Sequence, residues 1–221
     1  MKEEQYGRLQ QKMVEEQLRR RGIYDQRVLE AMRIVPRHLF VSQTWRAQAY
    51  EDMPLPIGHQ QTISQPYIVA LMLEALQLTG RERVLEVGTG SGYQAALLGW
   101  LAQHVYTVEI IPELMRSARQ ILSQLGYENV EVVAANGSIG WKAGAPYDAI
   151  IVAAASPVVP HSLVEQLQER GRLVLPVGEF FSQVLLRVRK QQGEIVTENL
   201  GGCAFVPLVG EEGWKSGTYS A

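Results

Sequence analysis

Cysteine is almost missing: Cys203 stands alone in a chain of 221 residues, so an intramolecular disulfide is impossible and a thiolate zinc cage cannot be assembled. Histidine is sparse, and His38, His59, His104 and His161 lack the i, i+4 spacing that sets two imidazoles on one helical face. No metal is expected. Charge of one sign is lacking too. Twenty-one Lys and Arg against 23 Asp and Glu leave a net charge of -2, which gives no general attraction for phosphate backbones, and Arg19-Arg20-Arg21 is too short to change that. Nucleic acid is therefore not an expected partner. No apolar run reaches membrane-spanning length, and Met1-Lys2-Glu3-Glu4-Gln5 lacks the basic stretch and apolar run of a secretory signal. A cytoplasmic protein with no membrane partner is expected. Gly-Lys-Ser and Gly-Lys-Thr do not occur, which removes the lysine loop of nucleotide hydrolases.

What is present can bury a full core. A hydrophobic content of 46% over this length favours one domain, read here as N-terminal helices and a substrate segment (1–65), an α/β core (66–182) and C-terminal strands (183–221). Tyr6, Leu9, Met13 and Leu18 recur at helical spacing, and that helix ends at Gly22. Asp25 can cap a second helix, which Pro36 stops. Residues 37–65 read as irregular. From Arg83 onward, short apolar runs (Val84–Val87, Val105–Val108, Val130–Ala134, Ala149–Ala153, Leu173–Pro176) alternate with helical stretches. Such alternation implies an α/β fold with a doubly wound, mostly parallel sheet. Val184–Val188 and Ile195–Thr197 flank Gln191-Gln192-Gly193 as a hairpin, an antiparallel edge on that sheet.

Val84-Leu85-Glu86-Val87 runs directly into Gly88-Thr89-Gly90-Ser91-Gly92-Tyr93, followed by a helical stretch. Strand, glycine-rich turn and helix in that order let a backbone approach a ligand at a helix N-terminus. The glycine spacing is tighter than the usual dinucleotide pattern, Glu86 precedes it, and Glu109 closes the next strand where a carboxylate can accept from ribose hydroxyls. An adenosine-containing cofactor without a triphosphate fits, although the glycines could also serve a tight turn alone.

Residues 49–66 are unusual for a loop, with polar side chains set between prolines. Pro66 suits the first turn of a helix. Ile68, Val69, Leu71, Met72, Leu73 and Leu76 make that helix almost wholly apolar, hence buried. Ser64 then sits at or just before a helix N-terminus, where orphan N–H groups favour an anion such as a carboxylate.

Gln61-Thr62-Ile63-Ser64-Gln65-Pro66, followed by Leu85-Glu86-Val87-Gly88-Thr89-Gly90-Ser91-Gly92-Tyr93, resembles the paired signatures of the protein-L-isoaspartate O-methyltransferase family. Val35-Pro36-Arg37 with Phe40, Tyr147–Ile151, Gly171–Gly178 and Phe205–Leu208 extend the resemblance over most of the chain. It implies the Rossmann-like fold of class I S-adenosylmethionine-dependent methyltransferases, and methyl transfer to the free α-carboxylate of isoaspartyl residues in damaged proteins and peptides. S-adenosylhomocysteine is then the product form of the cofactor.

By the same resemblance Ser64 is the active-site serine. Glu86, Gly88, Thr89, Gly90, Ser91, Glu109, Asn136 and Gly137 are expected at the cofactor, and Ile57, Gln61, Thr62 and Ile63 along the substrate. One position departs from the family pattern: Ala135-Asn136-Gly137 stands where Gly-Asp-Gly is usual. Losing the charge is expected to weaken adenine binding by roughly 1 kcal/mol. Three other readings remain: a methyltransferase with a small-molecule or RNA substrate, which has no reason to carry Gln61–Pro66; a nicotinamide-dependent oxidoreductase, disfavoured by the glycine spacing; and a non-catalytic binding module. A monomer is expected.

Overall fold

The computed structural model describes residues 2–180 and 182–215; the part of the expected C-terminal strand region at 216–221 lies outside them. Helix α1 (Glu3–Lys12) continues through a π-helical turn at Met13–Leu18 and a 3-10 turn at Arg19–Arg21. Gly22, at φ +96°, then reverses the chain. Asp25 caps α2 (Gln26–Ile34) by accepting from the Arg27 and Val28 amides. The bend at Val35-Pro36 follows.

Residues 37–65 are more ordered than their composition indicates. Two 3-10 turns (Arg37–Phe40, Gln43–Gln48) lead into β1 (Leu55–Gly58) and β2 (Gln61–Ile63), an antiparallel pair. His59 and Gln60 turn it, both at positive φ. Helix α3 (Pro66–Leu76) follows, with proline in its first turn as expected. It is not buried all round: Val69, Ala70, Met72, Leu73, Ala75 and Leu76 are covered, whereas Ile68 and Leu71 are half-buried.

The remaining elements are β3 (Arg83–Val87), α4 (Tyr93–Leu101), β4 (His104–Glu109), α5 (Pro112–Gln124), β5 (Val130–Ala134), β6 (Tyr147–Val152), α6 (His161–Gln166), β7 (Leu167–Glu179), β8 (Ser182–Gln191) and β9 (Glu194–Cys203). They build a seven-stranded sheet in the order β5-β4-β3-β6-β7-β8-β9, parallel from β5 to β7 and antiparallel at β8 and β9. The doubly wound sheet and its antiparallel edge are as expected, but β7 begins well before the apolar run that announced it.

Alternation along the strands splits the core. Val84, Val105, Ile151 and Val174 face α2, α3 and α4. Leu85, Val108, Ile150 and Leu173 face α6 and the segment around Leu208. Helices leave β3 toward β4 and β6 toward β7, so the strand order reverses between β3 and β6. A crevice opens there, at the carboxyl ends of the strands, where ligands bind in sheets of this kind. Among the described residues no helix is long and apolar enough to cross a membrane.

Candidate active site

The crevice starts at the turn after β3. Gly88, Gly90 and Gly92 all have positive φ, which side chains rarely tolerate. A Cβ on Gly88 would touch Ala153 at 3.5 Å and one on Gly92 would meet Ala118 at 3.3 Å. The Gly88 and Thr89 amides donate to the Val108 carbonyl, and the Gly90 amide donates to Glu109 Oε2 at 2.8 Å. Glu109 Oε1 accepts from the Ile110 and Ile111 amides. A carboxylate with this many main-chain donors is fixed in place, at the end of β4 and on the cavity wall.

Around this turn lies a cavity of about 230 Å³ lined by Gly88, Thr89, Gly90, Ser91, Glu109 and Gly137, together with Gln61, Thr62, Ile63 and Ser64. It brings together most of the residues expected at cofactor and substrate. The positive-φ glycines bring main chain to the cavity wall, and the Gln94 side chain on the same wall turns toward the Glu86 carboxyl. Main chain at the wall and the fixed Glu109 carboxylate fit an adenosyl group. Gly137 earns its place by packing: a Cβ there would lie 2.4 Å from Val87 Cγ1.

Three expected residues fall elsewhere. Glu86 is fully buried inside β3, beneath the turn, where it accepts from the Thr107 hydroxyl; Thr107 in turn pairs with Thr89. Burial pushes its carboxyl up to about 8. It supports the loop from below and does not line the cavity. Asn136 does not line it either: its side-chain oxygen accepts from the Ser138 amide and hydroxyl, capping a 3-10 turn, while Ala135 and Gly137 on either side do line it. Ile57 packs behind the loop, 3.3 Å from where a Gly90 Cβ would sit, in a separate cleft with Phe40 and Trp45.

A wider groove of about 890 Å³ adjoins the cavity. Ser64, Gln61 and Thr62 line both spaces, as do Ala153 and Val206. The groove's walls include Ile68 and Leu71, which explains the uncovered face of α3, and also Phe205 and Leu200. The N-terminus of α3 is not free for an incoming anion as the sequence implied: Asp52 Oδ1 accepts from the Tyr67 amide, and Asp52 Oδ2 accepts from the Gln65 side chain and pairs with Arg21. A resident carboxylate already answers the helix dipole.

The residues 204–209 were not foreseen at the site. They reach it because the Ala155 amide donates to the Val206 carbonyl and the Leu208 amide to the Ala155 carbonyl, which lays the segment across the end of β6. The only signal in the sequence was Phe205–Leu208 as part of the family resemblance.

The protein-L-isoaspartate(D-aspartate) O-methyltransferase family model matches residues 8–213. A Geobacter metallireducens protein-L-isoaspartate O-methyltransferase is 58% identical over 92% of this chain and 94% of its own length. One from Syntrophobacter fumaroxidans is 53% identical over 95% and 98%. Among solved structures, a Plasmodium falciparum chain described as a protein-L-isoaspartate O-methyltransferase, in complex with S-adenosyl-L-homocysteine, superposes with a TM-score of 0.78 at 28% identity, covering 90% of this chain and 97% of that one. A further protein-L-isoaspartate O-methyltransferase superposes with a TM-score of 0.82 at 28% identity, covering 92% of this chain and 66% of that one.

Proposed function

The chain belongs to the protein-L-isoaspartate(D-aspartate) O-methyltransferase family, and from that premise we propose that Ser64 orients the substrate carboxylate where the cofactor cavity meets the peptide groove. The activity is that of the family: S-adenosylmethionine-dependent methylation of isoaspartyl residues in proteins, a repair reaction. The amide nitrogen of the following residue then attacks the ester carbonyl and expels methanol, closing a succinimide, and hydrolysis of that ring returns some normal aspartate. Ser64 lines both the glycine-walled cavity and the groove, as the Thr62 hydroxyl also does, and the resemblance of Gln61–Pro66 to the family signature selects Ser64 between the two.

When bound, S-adenosylmethionine supplies an electrophilic methyl carbon on a sulfonium. The chain's own part is binding, orientation and exclusion of water. Gly88, Gly90 and Gly137 line the cavity beside Glu109, whose carboxylate stands ready for ribose hydroxyls. A carboxylate with an ordinary value near 4 is already ionised at neutral pH, so the reaction needs no general base. Ser64 thus donates a hydrogen bond and does not attack. Placement of the carboxylate in line with the methyl group carries the rate. The groove beside Ser64, walled by Gln61, Thr62 and Phe205, takes the flanking peptide.

All of these groups come from one chain, so a monomer suffices. Burial raises the lone Cys203 thiol to about 11, and a chain without a disulfide suits the reducing cytoplasm.

The test is methyl ester formation with two peptides that differ only in isoaspartate or aspartate. Transfer confined to the isoaspartyl peptide is expected, and Ser64→Ala should lower turnover at least tenfold while the fold and cofactor affinity hold. A Ser64→Ala enzyme with unimpaired turnover would remove Ser64 from the site.

A further inference from the structure

We propose that Arg37 is a positioning residue for the methyl transfer, a buried cation that fixes Ser64 through its main-chain carbonyl. The inference rests on the role given to Ser64 above. Arg37 is 0% exposed and heads the fully buried side chains by size. Its Nη2 donates to the Ser64 carbonyl at 2.7 Å and its Nε donates to the Ala49 carbonyl at 2.7 Å. The guanidinium carbon lies 4.9 Å from the centre of the Tyr93 ring, whose side chain lines the cofactor cavity. Nη1 is buried without a well-aligned hydrogen bond, and Tyr93 and the more distant Asp52 carboxylate favour the charge without a direct ion pair.

Burial lowers the Arg37 value to about 10, so it stays charged at neutral pH. A buried guanidinium without a direct carboxylate partner is costly, and an apolar side chain of similar volume would fill the space more cheaply. What an apolar side chain cannot do is bridge two carbonyls. Ala49 and Ser64 bracket the segment that holds Asp52, β1 and β2, so one rigid fork ties both ends of the substrate segment to the turn after α2. Holding the Ser64 carbonyl fixes the Ser64–Gln65 peptide plane, and with it the direction in which the Ser64 hydroxyl leaves the backbone. A displacement of about 1 Å in such a group can cost about a hundredfold in rate. Lysine cannot replace the fork, because a single ammonium offers no planar pair of donors.

A merely structural role and a positioning role separate in a double-mutant cycle. Arg37→Lys and Arg37→Gln are assayed with an isoaspartyl peptide, alone and combined with Ser64→Ala, alongside S-adenosylhomocysteine affinity and thermal denaturation. The expected single variants fold, bind S-adenosylhomocysteine within twofold of the parent and lose at least tenfold in kcat. In the Ser64→Ala background the same substitutions cost less than threefold more. Fully multiplicative losses, or unchanged kcat in the single variants, overturn the proposal. Failure of both variants to fold assigns Arg37 to the fold alone and overturns it as well. A Ser64→Ala enzyme with full turnover fails on a different count, since it removes the role of Ser64 itself whatever Arg37 does.

Discussion

Glu86 is the residue whose chemistry departs furthest from its sequence neighbourhood. Beside a glycine-rich turn it reads as a cofactor ligand, yet β3 carries it one residue too deep, and its carboxyl faces Thr107 in the interior. Burial raises it from 4.5 to about 8, and the Thr107 hydroxyl works against the shift. The folded chain therefore holds this proton more tightly than the unfolded chain does. Stability from this source is complete below about pH 4.5 and is lost as pH rises through about 8, at up to about 1.4 kcal/mol per pH unit. Urea unfolding of the parent should show lower stability at pH 8 than at pH 6, and Glu86→Gln should flatten that difference; a parental slope in the variant would show that other groups produce it. Glu109 was legible because it ends its strand at the cavity. Asn136 was less so, since nothing in the sequence indicates that Ser138 engages its oxygen. Arg37 appeared only as one residue of the family resemblance, because burial of a charged side chain cannot be read from its neighbours.

The substrate segment shows what local sequence conceals about elements. Two prolines and the absence of an Asn-Gly turn hide the β1–β2 pair, which His59 and Gln60 close at positive φ. Similarly, Gln168, Glu169 and Arg170 mask the start of β7. Helix α3 was legible from Pro66 and its apolar run, but the anion at its N-terminus was not, because Asp52 arrives from outside the helix. That contact joins the segment to α3 through Tyr67, Gln65 and Arg21. Asp52→Ala should cost about 1 kcal/mol of stability, as loss of a helix cap does, and should raise KM for isoaspartyl peptide severalfold. Cofactor affinity is the control: Asp52 does not line the cofactor cavity, so S-adenosylhomocysteine titration should give a parental Kd, and a matching loss there would mean that the helix end supports both sites.

At the scale of the molecule, the doubly wound sheet was legible because strand and helix periodicities alternate cleanly from Arg83 onward. Closure of the cavity was not, since it depends on residues far apart in sequence: the segment 206–209 crosses the end of β6 through Ala155. The cavity wall therefore combines β2, α4, the ends of β3, β4 and β6, and this returning segment, a set that exists only in the folded chain. A ligand that binds there and not to the unfolded chain stabilises by about 2.7 kcal/mol at a hundred times its Kd. For a domain of this size that corresponds to a rise in Tm of roughly 5–10 °C. Thermal denaturation with S-adenosylhomocysteine should show such a rise, and with NAD none. A rise with NAD instead would return the glycine-rich turn to dinucleotide binding, because the same cooperative cavity reports whichever adenosyl ligand it holds.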